Sequence, residues 1–264
     1  MGDVRLSLDS MCPTTQEGAG LIYHRDSADT VAAVKYHGGM TTALGVSTQL
    51  ATEIMERIDR GEVAPGTQLL EIPLAEELGC SRNTLREAFR ILARDGLVDH
   101  IPNRGVFVHS FTHEDVADLY AYRLFVEPAV IREAEHSPHL DDCLIRMEEA
   151  YRAACVAMEA QEWRKVGMFN TAFHQALVDI AGVRRLSVDA RKVLVLARIG
   201  FISTGGGRKT HGPYVEKNGQ LLNLMRQGRF PEAESFLRGY LEHSRNNLLD
   251  LLPAGGKTAV KTDG

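Results

Sequence analysis

The residues of this chain best suited to chemistry are four arginines at a constant spacing. In Ser81-Arg-Asn-Thr-Leu-Arg-Glu-Ala-Phe-Arg-Ile-Leu-Ala-Arg94 they recur at 82, 86, 90 and 94. A step of four drifts slowly around a helix, so the stripe begins on one face and slides off it. A guanidinium is planar and donates two hydrogen bonds at once, which matches O6 and N7 of guanine in the major groove. The opening turns of a groove-bound helix are the part that reaches base edges. That assigns Arg82 and Arg86 to bases, and Arg90 and Arg94 to phosphates or acidic neighbours. An arginine stripe is also an ordinary way to solvate a helix, and the stripe alone does not separate the two readings.

Other reactive groups carry less. Cys12, Cys80, Cys143 and Cys155 form neither a C-x-x-C pair nor a Cys/His ladder, so reduced thiols are expected rather than a zinc ribbon or a disulfide framework. Gly205-Gly-Gly207-Arg-Lys-Thr lacks the Gly-to-Gly-Lys spacing and the preceding strand of a phosphate loop, and reads as a flexible loop between helices. His109, His113, His136 and His139 are expected at the surface.

The elements that must position the arginines follow from the hydrophobic pattern. Val46, Leu50, Ile54 and Ile58 mark a surface helix ended by Gly61. After Ala64-Pro65-Gly66, a short helix opens with Pro73 in its first turn, buries Leu74 and Leu78, and stops at Gly79. Ser81 caps a third helix, whose Leu85, Phe89 and Leu92 face inward until Asp95-Gly96. Two helices joined across Gly79-Cys80-Ser81 outline a helix-turn-helix. Leu97 to Ile101 and Val106 to Val108 are β-prone runs around Pro102-Asn103-Arg104-Gly105, a hairpin that would form a wing.

From Thr112 the pattern is helical throughout. Thr112 and Asp115 are spaced as a capping box. Further helices are expected over Pro138 to Ala160, Glu162 to Ala181, about Arg184 to Gly200, Pro213 to Gln227 and Pro231 to Leu252. The fold class is therefore mainly α: a winged helix-turn-helix of three helices and a small hairpin over 46–110, then an all-helical bundle over 112–252. Residues 1–45 and 253–264 show no sustained period and read as a disordered extension and tail, with Met1 to Gly39 dispensable.

Composition narrows the function. Lys and Arg number 30 against 35 Asp and Glu, a net charge of −5, so no global basic field draws in nucleic acid and any DNA contact comes from a local patch. No apolar run follows the first residues as in a signal peptide, and the longest aliphatic stretch, Val193 to Ala197, is far short of a membrane span. A cytoplasmic protein with no membrane partner is expected.

Three runs carry a family resemblance: Gly61-Glu-Val-Ala-Pro-Gly-Thr-Gln-Leu69, then Leu74-Ala-Glu-Glu-Leu-Gly-Cys-Ser-Arg-Asn-Thr-Leu-Arg-Glu-Ala88, then Leu92-Ala-Arg-Asp-Gly-Leu-Val98 with Arg104-Gly105. Together they resemble the winged-helix domain of GntR-type bacterial transcription regulators over nearly all of Val46 to Val108. The resemblance implies that Arg82 and Arg86 touch an operator, that Ser81 and Thr84 bind backbone phosphate or base edges, and that Arg104-Gly105 enters the minor groove. Ile72 stands where FadR-like members often carry a phosphate-binding arginine. Asn83-Thr84-Leu85 replaces the commoner Thr-Pro-Val, which implies an altered sequence preference.

Thr112 to Leu252 resembles, at sparser positions, the FCD type of effector domain in the FadR subfamily. Tyr120-Ala-Tyr-Arg-Leu-Phe-Val-Glu-Pro128 is similar to its opening helix, whose arginine points into the ligand cavity; here that is Arg123. Arg123 also stands four residues before Glu127, the spacing of an ordinary helix ion pair. Many members bind a divalent metal through one Asp and three His. The corresponding positions here are Asn170, His174, Asn218 and Tyr240, so only one imidazole remains. That is a poor set for zinc or nickel, and no metal or other cofactor is expected. His243 lies three residues from Tyr240 and replaces it only if the helix rotates.

Without the metal, Arg123 leaves a cavity that favours an anion, and Asn170, His174, Asn218 and Tyr240 are placed to hydrogen-bond a small polar ligand. The same four would serve equally as a satisfied polar core. The function expected is a homodimeric transcription regulator, a repressor on a palindromic double-stranded DNA operator, released by a small organic acid. The alternatives are a ligand-blind regulator with a decayed pocket and an all-helical enzyme using His174; for the enzyme, no second catalytic group stands at useful spacing.

Overall fold

The computed structural model describes residues 43–205 and 207–252. The proposed extension and tail lie outside these residues except for 43–45, which belong to the first helix. That helix, α1 (Ala43–Asp59), is followed by β1 (Gln68–Leu69), α2 (Glu71–Glu77), α3 (Arg82–Arg94), β2 (Val98–Ile101) and β3 (Gly105–Val108). The bundle comprises α4 (His113–Glu133), a 3-10 turn (Ala134–His136), α5 (Leu140–Glu159), α6 (Trp163–Asp179), α7 (Arg184–Ser203), α8 (Arg208–Arg226) and α9 (Phe230–Leu251). An N-terminal winged helix-turn-helix followed by a helical bundle is therefore the architecture.

Local chemistry accounts for the helix starts. Ser81 Oγ accepts from the Thr84 amide at 3.1 Å, closing one of the four free donors at the start of α3. At α4 the capping box is complete: the Thr112 amide donates to Asp115 Oδ2 at 2.8 Å, and the Asp115 amide donates to Thr112 Oγ1 at 3.2 Å. Leu85, Phe89 and Leu92 of α3 are all buried, so its other face is left for the arginines.

Two expectations about the secondary structure need correction, at the hairpin and at α8. The hairpin is part of a three-stranded antiparallel sheet of order β1-β3-β2, in which Gln68 pairs with Phe107 and Val98 with Val108. A two-residue strand is too short to show a period, so β1 left no trace in the pattern. The short helix α2 runs from Glu71 to Glu77 with Pro73 in its first turn, as the pattern placed it. Helix α8 begins at Arg208 rather than Pro213 and takes in part of the presumed glycine loop, with Pro213 inside it. The residue before a proline is normally kept out of the helical region by its Cβ, and Gly212 has none.

One continuous apolar core runs from Ile54, Leu85 and Leu97 of the winged helix through Val116 and Ile199 to Leu248 of the bundle. Within the bundle α4 packs on α9 and α5 on α6, while α7 also contacts α1. Three ion pairs reinforce that seam: Arg191 Nη2 to Asp59 Oδ2 at 2.7 Å, Arg198 Nε to Asp59 Oδ1 at 3.3 Å, and Lys192 Nζ to Asp95 Oδ1 at 3.1 Å. His109, expected at the surface, is instead half-buried at the junction, with Nδ1 3.0 Å from Asp99 Oδ1 and Nε2 3.2 Å from Asp115 Oδ2. His113 is also half-buried, whereas His136 and His139 are exposed.

Candidate DNA interface and sensor cavity

The face of α3 opposite the core carries the predicted base readers. Ser81, Arg82, Asn83 and Arg86 are exposed and Thr84 is half-buried, its hydroxyl 2.7 Å from Ser81 Oγ. Arg82 and Arg86 converge on one carboxylate: Arg86 Nε donates to both oxygens of Glu71 at 3.0 Å, and Arg82 Nη2 reaches Glu71 Oε2 at 3.4 Å. The hydrogen bond from Arg86, more than Arg82, lowers the pKa of Glu71. Because Arg86 is held through Nε, its terminal amino groups can approach a base as a pair. Arg90 meets Glu87 and Arg94 lies 3.6 Å from Asp95, so both have the acidic neighbours that were one of their two expected fates.

The wing tip is shaped by its backbone. Asn103 and Gly105 have φ of 62° and 106°, and a Cβ on Gly105 would come within 2.9 Å of Gln68 Nε2. That same amide donates to the Arg104 carbonyl at 2.6 Å, so β1 pins the turn, while the exposed Arg104 guanidinium lies over the Phe107 ring at 5.6 Å from its centroid. Residues on α3 and the wing that were predicted from sequence are thus placed on exposed parts of the same small domain. Gln68 and Glu71 were missed, since neither type nor spacing marks them before the sheet and α2 are in place.

In the bundle, the five predicted effector residues do come together. His174 is wholly buried, with Nδ1 2.7 Å from Glu127 Oε2 and Nε2 3.1 Å from the Tyr240 hydroxyl. The Tyr240 hydroxyl, whose one proton goes to His174 Nε2, lies 3.0 Å from the Asn218 amide, which in turn lies 2.8 Å from that of Asn170. Arg123 Nε donates to Glu127 Oε1 at 2.5 Å, so the helix ion pair foreseen as the alternative is present, and its carboxylate serves His174 as well.

Charge states follow from this packing. Burial alone would raise the pKa of Glu127, but Arg123 and then His174 hold it at about 2. For His174 burial dominates and lowers the pKa, with Glu127 opposing it. Ionised Glu127 can only accept, so His174 carries its proton on Nδ1. The set does not suit a divalent metal: one imidazole already engaged at both nitrogens, two carboxamides and a phenol whose pKa burial raises well above 10. Among the described residues there is no group of three or more His, Cys, Asp or Glu placed to hold one.

Arg123, Asn170 and Tyr240 border a cavity, with His174 and Asn218 hydrogen-bonded behind them. Sequence reasoning missed three of its other walls, Arg198 on α7, His211 on α8 and Ser244 on α9. A signal for Arg198 existed: it is the single charge in the apolar run Val193 to Phe201. The space open to the centre of a water-sized molecule is about 20 Å³, room for a water or two. Any larger ligand enters only by moving a wall.

Comparison with known proteins bears on both regions. Residues 46–108 match the family model of bacterial regulatory proteins, gntR family, and residues 118–243 match the FCD domain. A solved structure described as a putative transcriptional regulator GntR from Rhodococcus sp. RHA1 is 32% identical, with a TM-score of 0.72, covering 78% of this chain and 99% of that one. The uncharacterized HTH-type transcriptional regulator YdhC of Bacillus subtilis (strain 168) is 27% identical over 207 residues, 78% of this chain and 92% of its own. The HTH-type transcriptional repressor RspR of Escherichia coli (strain K12) is 31% identical over 119 residues, 45% of this chain and 52% of its own.

Proposed function

Because this chain belongs to the GntR family of bacterial regulatory proteins, with an FCD domain behind its winged helix, and its relatives are transcriptional regulators rather than enzymes, we propose that it binds an operator in the cytoplasm and represses transcription until a small acidic metabolite releases it. The observation that carries the DNA reading is the pair Arg82 and Arg86, exposed on the first two turns of a capped helix, in a domain whose wing also exposes an arginine. In this reading Arg82, Asn83 and Arg86 meet base edges, Ser81 and Thr84 meet phosphate or base edges, and Arg104-Gly105 enters the minor groove. One such helix reads only a few base pairs, so the working form is a homodimer on a palindromic site. Phe125, 82% exposed on α4, offers apolar surface for that contact. Repression is supported by a relative that is itself named a repressor.

The effector site of this reading is the cavity bordered by Arg123, Asn170 and Tyr240 and backed by His174 and Asn218. A second reading, a regulator that senses nothing, draws on the chain of polar contacts from Asn218 through Tyr240, His174 and Glu127 to Arg123, which is continuous without a ligand. Selection of binding sites from a random duplex library tests the DNA reading. The purified protein should enrich a palindrome, and Arg82→Ala with Arg86→Ala should each weaken binding by about 1 to 3 kcal/mol and relax base preference. Equal enrichment by the doubly substituted protein would sink the recognition-helix assignment.

A further inference from the structure

Resting on that effector reading, we propose that Arg198 takes the anionic group of the ligand, a carboxylate or its like, and that in doing so it loosens its hold on the DNA-binding domain. Arg198 is 4% exposed and its guanidinium faces two ways. On one side Nε donates to the Asp59 carbonyl and lies 3.3 Å from Asp59 Oδ1, while Nη2 donates to the Arg164 carbonyl at 2.8 Å. On the other side it borders the sensor cavity, and Nη1, buried beside Gly167 and His211, has no hydrogen-bond partner among the described residues. A buried N–H donor without an acceptor is costly, and an arriving carboxylate oxygen supplies one.

The charge balance points to the same residue. Arg123 is matched by Glu127 within the same helix, so an anion there competes with a carboxylate already in place. Arg198 shares its carboxylate, Asp59, with Arg191, which leaves two cations on one anion. Burial lowers the pKa of Arg198 to about 10 despite Asp59, with Arg191 and Arg164 pushing the same way. A second anion is therefore favoured at Arg198 more than at Arg123. Gly167 makes room for the guanidinium, since a Cβ at that position would overlap Nη1.

The link to DNA is the other half of the same contact. Asp59 is the last residue of α1, and a cation on its carbonyl caps the negative end of that helix. Helix α1 packs on α3, which carries Arg82 and Arg86. The cavity holds no more than a water or two, so a ligand must displace a wall, and Arg198 is the wall with an unmet donor. Drawn toward the ligand, it leaves the end of α1 with Arg191 alone on the Asp59 carboxylate.

The test uses the full chain titrated with acetate, succinate and citrate at fixed ionic strength, with succinamide as the uncharged control, followed by calorimetry. At least one carboxylate should bind saturably and succinamide should not. Arg198→Met should lower that affinity tenfold or more, and Asp59→Asn, which frees the guanidinium, should raise it severalfold. On a duplex selected from the random library, the bound carboxylate should weaken the parent protein's affinity, and the Asp59→Asn protein should respond by less than twofold. Binding that survives Arg198→Met and is lost in Arg123→Met assigns the anion to Arg123, overturning this proposal while leaving an acidic effector intact. If no carboxylate binds the parent protein, the proposal and the acidic-effector reading both fall, and the DNA selection stands apart from either. If Arg198→Met does not fold, Asp59→Asn decides: unchanged carboxylate affinity with an undiminished DNA response overturns the proposal.

Discussion

Arginines do opposite work in the two halves of this molecule, and their surroundings explain why. Arg86 keeps 49% of its side chain exposed while it contacts Glu71, so water, a phosphate or a base edge can take the place of that carboxylate with little change in free energy. Arg123 keeps 5%, and its partner Glu127 only 2%. Removing that carboxylate would leave a cation in a dry interior, where no solvent compensates. A guanidinium that must exchange partners is therefore placed at the surface, and one that must hold a geometry is placed in the core. Arg198 is the exception that combines both, buried like Arg123 yet with a donor unmet.

The sharpest way to break this contrast is a matched pair of substitutions. Glu127→Gln, which removes the negative charge beside Arg123 and turns one of the two oxygens accepting from Arg123 and His174 into a donor, should destabilise the folded chain by about 3 to 5 kcal/mol in urea unfolding. Equal effects from Glu127→Gln and Glu71→Gln would end the distinction between core and surface carboxylates.

A pH titration of stability sharpens it further. His211 titrates near 4 rather than 6.5 because burial, and then Arg198, disfavour its charged form. With a depressed pKa in the folded state, the unfolded chain takes up the proton first as the pH falls, so stability drops between pH 6.5 and 4 and then levels. The loss attributable to His211 is about 3 kcal/mol. Glu127, lowered from 4.5 to about 2, adds a second loss as the pH falls through that lower window. His211→Asn should flatten the upper slope, leaving the share due to His174, which burial shifts in the same direction. An unchanged upper slope would mean that His211 is not the buried neutral group described.

The smallest effect is expected at the surface. Glu71→Gln should change stability by about 0.5 kcal/mol or less, as for other exposed ion pairs, while removing an anion from the face proposed to meet DNA. Operator affinity should rise modestly, read by fluorescence anisotropy, and a loss of affinity would show that Glu71 orients Arg86 rather than merely occupying it.

Much of the winged helix was legible because its signals are local. Ser81 before α3, Thr112 with Asp115 at α4, and the glycines at 61, 79, 96 and 105 each act within a few residues of themselves, and each element stands close to where the pattern put it. The strand β1 escaped because pairing with β3 depends on residues nearly forty positions away, and α8 began early because Gly212 makes Pro213 tolerable inside a helix. In the bundle, Asn170, His174, Asn218 and Tyr240 were chosen through a resemblance, and their hydrogen bonds come from three helices brought together only by folding.

What the sequence by itself determined is the architecture and the chemistry on offer: a capped helix with four arginines, a wing, and a helical bundle with a single imidazole among the four positions picked out by resemblance. What only the tertiary structure decided is which of those groups are free to act. Exposure and partner choice depend on neighbours distant in the chain, so the tertiary fold left Arg86 free to exchange partners, locked Arg123 onto Glu127, and placed Arg198 between the cavity and the end of α1. Burial changes the free energy of a charge far more than residue type does, and burial is a property of the packed molecule rather than of the chain.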